Sequence, residues 1–182
     1  IAGLPFGVAE TVPQAFDRMR GHGLPDARSL ETLARKASGD FQGPWPSLSI
    51  WHGSADATVA ASNADALVQQ WHRLVGVALD ATEKSQNGTV THRVWRDQAG
   101  AVRLEDYRIA GMGHGTPLSI AEGCGRAAPY MLDAGICSTR RIAAFWELLD
   151  TPVYTAPAAA GPKARAPEIK SIPLPETEPE QV

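Results

Sequence analysis

The chain has 182 residues, enough for one domain with a real core, and 43% of them are hydrophobic, near the globular average. Its 17 basic and 20 acidic residues leave a net charge of −3, so no electrostatic feature points to nucleic acid or an anionic membrane. No apolar run approaches the length of a membrane span.

The chain begins at Ile1 with an apolar stretch, not with Met and a charged leader, so the expectation is a segment whose N-terminus lies upstream. Residues 1–7 read as the end of a strand running into a loop broken by Gly3, Pro5 and Gly7. Residues 13–19 form a short helix with Pro13 in its first turn, ended by Gly21, Gly23 and Pro25. A second helix starts with Ser29 as N-cap, carries Leu30, Leu33 and Ala34 on one face and runs to about Ala37.

Residues 48–51 are too short and too apolar for a surface strand and fit a central parallel strand covered on both faces. The turn after it carries Asp56. Residues 60–75 then have helical periodicity, with Ala64, Leu67, Val68, Trp71 and Leu74 on one face and Gly76 as the stop. Residues 89–95 read as a strand, and Asn87-Gly88 ahead of them as a hairpin-type turn, the better reading of what is also a glycosylation sequon.

After the turn at Gln98-Ala99-Gly100, residues 102–109 form another strand, with Val102 and Leu104 inward; its alternation slips toward Tyr107 and Ile109, as a bulge would make it do. A glycine-rich loop, Gly111-Met112-Gly113-His114-Gly115, follows. Residues 140–149 form a last helix, with Ser138-Thr139 offering the cap. From about residue 155 the chain is rich in Pro, Ala, Glu and Lys, which reads as a tail or linker over 155–182 beyond a domain over 1–154. Helices alternating with apolar strands argue an α/β fold, but three convincing strands are fewer than an open α/β sheet needs.

Two residues carry the chemistry. Asp56 lies just beyond the carboxyl end of a strand, where α/β sheets place their functional loops. A carboxylate there can hold an imidazole in one tautomer and stabilise its protonated form; the plainer reading is a cap on the following helix. His114 lies between glycines after the last strand, where a neutral imidazole can take and return a proton. An acid followed by a histidine is two thirds of a nucleophilic triad in the α/β-hydrolase order, yet no Gly-x-Ser-x-Gly occurs in the chain. Ser54 beside the acid lacks that glycine pattern and is not promoted to nucleophile. His52 either lines the site or is buried at the strand end, and His22, His72 and His92 read as surface residues.

A metal site built from His52, Asp56 and His114 is the competing chemistry, without support from any His-x-x-x-His or Cys-rich spacing. Trp51, Trp95 and Tyr107 could line a cleft but more commonly form core. Cys124 and Cys137 are either two buried thiols or a disulfide worth about 3 kcal/mol in the chain-entropy model.

Three blocks in combination resemble the polyhydroxybutyrate depolymerase-like esterases, α/β-hydrolases related to feruloyl and acetylxylan esterases. They are Trp51-His52-Gly53-Ser54-Ala55-Asp56-Ala57-Thr58-Val59 with Gln69-Gln70-Trp71, then Gly111-Met112-Gly113-His114-Gly115-Thr116-Pro117-Leu118, then residues 136–148 with Phe145-Trp146. The opening Ile1-Ala2-Gly3-Leu4-Pro5-Phe6-Gly7 resembles the stretch after the family's nucleophile region.

The resemblance implies the C-terminal part of an α/β-hydrolase sheet, its first strands missing, with Asp56 as triad acid and His114 as general base. The serine and the oxyanion-hole donors would lie upstream of Ile1. It implies hydrolysis of carboxylic esters, such as hydroxyalkanoate oligomers or esters on plant polysaccharide, with no cofactor or metal and with neither nucleic acid nor membrane as partner. The location implied is extracellular or periplasmic, which a Cys124–Cys137 bridge would suit. The 182-residue chain itself is expected to be inactive. A non-catalytic binding module is the alternative from another class.

Overall fold

A computed structural model describes residues 1–149, so the expected tail over 155–182 lies outside the described residues. Its central element is a four-stranded sheet in the order β1-β4-β3-β2, built from β1 (Leu48–Gly53), β2 (Glu83–Asn87), β3 (Val90–Arg96) and β4 (Val102–Ile109). β1 and β4 run parallel, whereas β4–β3 and β3–β2 are antiparallel. The sheet is therefore mixed, and β1 pairs with a strand along one side. Along its other side Ala2 N donates to Trp51 O at 2.9 Å, so the opening residues lie against β1 without forming the expected strand end.

Both faces of β1 and β4 are buried, by different partners. Ile50 and Leu104 point to one face, where Trp95 and the helix α3 (Ser62–Leu74) cover them with Ala64, Val68, Leu67 and Trp71. Trp51, Tyr107 and Ile109 point to the other and pack with Met112, Ile136 and Ile142. This double burial removes the alternation expected of a half-buried strand. A register shift is present too: Trp95 faces Leu104 and Arg96 faces Val102, which leaves Arg103 as the extra residue of a bulge. The hairpin forms at the expected place, with Asn87 closing the β2 ladder against Val90 and Gly88-Thr89 making the turn.

The helix α1 (Val12–Met19) takes its cap from Thr11, with Pro13 in its first turn as expected. The helix α2 (Ala27–Ala37) begins earlier than expected: Asp26, not Ser29, is the N-cap, and its carboxylate accepts from Ser29 N at 2.9 Å. Two buried amides tie these pieces to α3. Gln70 donates to Phe6 O and Leu30 O and accepts from Phe6 N, while Asn63 donates to Arg18 O. The Gln70 amide has partners for both its donor and its acceptor, whereas the buried Asn63 Oδ1 has none among the described residues, and an unpaired buried polar group costs about 1–3 kcal/mol.

On the α3 face of β4 the buried carboxylate of Asp106 accepts from Arg93 and Arg108, and Arg108 reaches on to Asp65 and Ala61 O at the start of α3. Beyond β4, two short strands absent from the sequence reading, β5 (Thr116–Leu118) and β6 (Met131–Asp133), pair in parallel. The helix α4 (Ser138–Phe145) follows, capped by Cys137 and ending before the expected Leu149. Cys124 and Cys137 are bonded to each other, which settles the open choice between thiols and bridge.

Candidate active site

The site forms where the loops after β1 and β4 cross. Both strands end at the same level, Gly53 opposite Ile109. Gly53 is the point of closest approach, because a Cβ there would overlap the Met112 carbonyl. The two loops are then stitched together: Ser54 N donates to Ile109 O at 2.9 Å, Ala55 N to Met112 O at 3.0 Å, and Gly111 N to Ser54 Oγ at 2.9 Å. Ser54 is thus a loop-crossing residue. Its hydroxyl faces the backbone of the histidine loop.

This crossing brings together the two residues singled out in the sequence. His114 Nδ1 lies 2.9 Å from Asp56 Oδ2. An ionised carboxylate can only accept, so Nδ1 carries the proton and Nε2 is left with its lone pair. The Asp56 side chain is fully buried, while that of His114 is 30% exposed, so the acid is shielded and the imidazole can meet a ligand. Asp56 Oδ1 accepts from Thr58 N at 2.9 Å and Val59 N at 2.8 Å. Asp56 therefore closes its own turn; it does not cap α3, which starts after Ala61 without a side-chain cap.

His52 supports the acid from behind. Its buried Nε2 donates to Val59 O at 2.8 Å and stands 3.6 Å from Asp56 Oδ2. Val59 is held at both ends, its N–H by Asp56 and its carbonyl by His52. The open choice for His52 resolves to burial at the strand end, in contact with the acid's turn. His52, Asp56 and His114 do meet: His114 is hydrogen-bonded to Asp56, while His52 stands 3.6 Å from Asp56 and bonds to Val59 O. Among the described residues no group of three or more His, Cys, Asp or Glu side chains is arranged to hold a metal ion.

Two other histidines depart from the sequence reading. His72 is buried on α3, with Nδ1 3.2 Å from Val77 O. His92 is half-buried, stacks on Tyr107 at 4.0 Å between ring centroids and bonds to Glu105 at 3.2 Å. His22 is exposed as expected. Trp51, Trp95 and Tyr107 are core residues. Burial, with Glu105 adding its charge, pushes the Tyr107 phenol up to about 12.

The comparisons bear on the same stretch of chain. It is 35% identical over 152 residues to a poly(3-hydroxyalkanoate) depolymerase C of Paucimonas lemoignei, covering 82% of this chain and 37% of that protein. The chain is a relative of the polyhydroxybutyrate depolymerase-like esterases. An acetylxylan esterase of Coprinopsis cinerea matches this relative of the depolymerases at 30% identity over 89 residues, 48% of this chain and 23% of that one. The chain thus spans well under half the length of either. An acetyl xylan esterase from Aspergillus awamori superimposes with a TM-score of 0.47 at 21% identity, over 54% of this chain and 35% of that one, a likeness too partial to carry weight. No family model matches the chain. Among the described residues no helix is long and apolar enough to cross a membrane.

Proposed function

We propose that the Asp56–His114 pair is the acid and base of an ester-hydrolysing site. The observation that carries this reading is the 2.9 Å bond from His114 Nδ1 to a shielded carboxylate, at the rim of the sheet, on a histidine whose ring is partly open. The kinship with a depolymerase and an acetylxylan esterase supports esters as the substrate class.

In this mechanism a serine hydroxyl attacks the ester carbonyl while His114 Nε2 takes its proton. Asp56 holds the ring and stabilises the imidazolium. His114 then protonates the departing alcohol, and water repeats the cycle on the acyl-enzyme with His114 again as base. In this reading the serine and the oxyanion-hole donors are supplied from outside residues 1–149; no Gly-x-Ser-x-Gly occurs in the chain. Hydroxyalkanoate oligomers and esters on plant polysaccharide are the proposed substrates, outside the cytoplasm.

The test uses p-nitrophenyl butyrate and the protein expressed from its whole reading frame. Hydrolysis is expected, with block by an organophosphate, indifference to chelator and loss on His114→Ala. The 182-residue chain alone is expected to be inactive. Hydrolysis by that chain at the rate of the whole protein would overturn the reading of the nucleophile, and full activity in His114→Ala would overturn the assignment of the base.

A further inference from the structure

Tyr130 occupies a place that a glycine would fill more cheaply. It is the third residue of the turn Ala128-Pro129-Tyr130-Met131, closed by Met131 N donating to Ala128 O at 2.9 Å. Proline second and a positive φ third is the type II pattern, which ordinarily takes Gly or Asn in third place. Here Tyr130 has φ 62°. A bulky residue in that region costs about 1–3 kcal/mol. Burial does not offset that cost, because Tyr130 is 68% exposed.

The ring stands instead beside the candidate base. Its centroid lies 6.0 Å from that of the His114 imidazole, with the planes at 77°. The backbone holds it there. Tyr130 O accepts from Thr116 N at 2.7 Å, two residues beyond His114. A Cβ on Gly115 would stand 2.7 Å from the same carbonyl, so a glycine next to His114 is what admits the Tyr130 turn. The Cys124–Cys137 bridge closes the segment that carries the turn. Ala2 and Glu147 also carry positive φ, but Tyr130 alone of the three stands edge-on against the ring of the candidate base.

The geometry points to Tyr130 as a substrate-contacting residue, an apolar wall for the alcohol portion of the ester. This rests on His114 being the base. A base that returns its proton to the departing oxygen must come within hydrogen-bond reach of it, so the alcohol portion passes beside the imidazole. A phenol ring at that spot offers its face to C–H groups, which favours alcohols bearing a ring or a branched chain over methanol.

The experiment compares benzyl butyrate with methyl butyrate, which share an acyl group, using the protein from its whole reading frame. Tyr130→Ala is expected to lower kcat/KM on the benzyl ester about 10-fold more than on the methyl ester, the scale of one lost apolar contact. Tyr130→Phe should keep both rates. Tyr130→Gly should unfold at the same temperature as wild type or higher, because it relieves the positive φ. Equal losses on the two esters, no loss on either, or a lowered Tm in Tyr130→Gly would overturn the inference. If His114→Ala keeps its activity, the base itself is wrong and this inference goes with it. If His114→Ala is dead and Tyr130→Ala is unselective, only the role of Tyr130 fails.

Discussion

Among the described residues two histidines are hydrogen-bonded to a carboxylate, and the two pairs are alike in distance and opposite in setting. His114 and Asp56 lie 2.9 Å apart on loops beyond the ends of β4 and β1. His92 and Glu105 lie 3.2 Å apart in the middle of β3 and β4. At the rim the carboxylate is fully buried, and among the described residues it is otherwise bonded only to its own turn and Nε2 of the histidine has no partner. In the sheet, Nε2 is the atom that meets Glu105, and the ring lies flat on Tyr107, which in turn stacks on Trp51 at 3.8 Å. Glu105 also accepts from Ser49 Oγ at 2.6 Å, and Ser49 accepts from Trp51 Nε1. In the proposed reading the first pair exchanges a proton with a ligand; the second closes a polar chain inside a stack of rings. A short distance between imidazole and carboxylate therefore does not identify a base. The proposal for His114 rests instead on its place on a loop and on which nitrogen is left over.

The comparison breaks most visibly if both carboxylates are removed in turn. Asp56→Asn is expected to lower kcat/KM for ester hydrolysis about 10⁴-fold, because an amide can donate to Nδ1 and so favours the wrong tautomer. Glu105→Ala should leave the rate near that of wild type and instead lower the unfolding free energy by about 1–3 kcal/mol, the cost of unpaired buried groups. Urea titration and ester kinetics on both variants separate the roles, and a reversed pattern would sink the contrast.

A smaller effect sharpens it from the acid's side. His52→Phe removes the donor to Val59 O, loosens the turn that aims Asp56 and should slow hydrolysis by about 10- to 100-fold, in kcat more than in KM. The NMR signal of the hydrogen-bonded His114 Nδ1 proton should weaken in that variant. An unchanged proton signal together with an unchanged kcat would mean that the turn holds without His52.

The smallest effect belongs to the ring stack. The Tyr107 phenol has its pKa raised from the ordinary 10.0 to about 12, by burial first and the Glu105 charge second. The folded state thus favours the neutral phenol. The stability this contributes is complete below pH 10 and is lost as the pH climbs toward 12. Tyr107→Phe should flatten that decline, read by urea unfolding across the same interval, while leaving hydrolysis near neutrality alone. A decline as steep in Tyr107→Phe as in wild type would place its origin elsewhere.

Much of this was legible in the chain. Apolar runs and glycine stops located β1, β3, β4 and α3, because each is long enough for its period to dominate. Asp56 and His114 were legible as well, since both follow a strand directly and sit among turn residues. Other features were not. β2 is wholly exposed and β5 and β6 are three residues each, so none has a period to read. Asp26 outcompeted Ser29 as the α2 cap because one acceptor at the true start serves the first free N–H, a choice made over a few residues.

By itself, the sequence determined the alternation of helix and strand and put an acid and a histidine on successive strand-end loops. Those are local properties, set by side-chain period, glycine and the polarity of turns. Only the tertiary structure decided which histidine meets which carboxylate, that His52 and Val59 stand behind Asp56, that Gln70 and Asn63 belong inside, and that Cys124 joins Cys137. It also decided that Tyr130, from a turn far along the chain, comes to rest beside His114. Each of these depends on residues far apart in the chain meeting at one point, and no local period encodes that meeting.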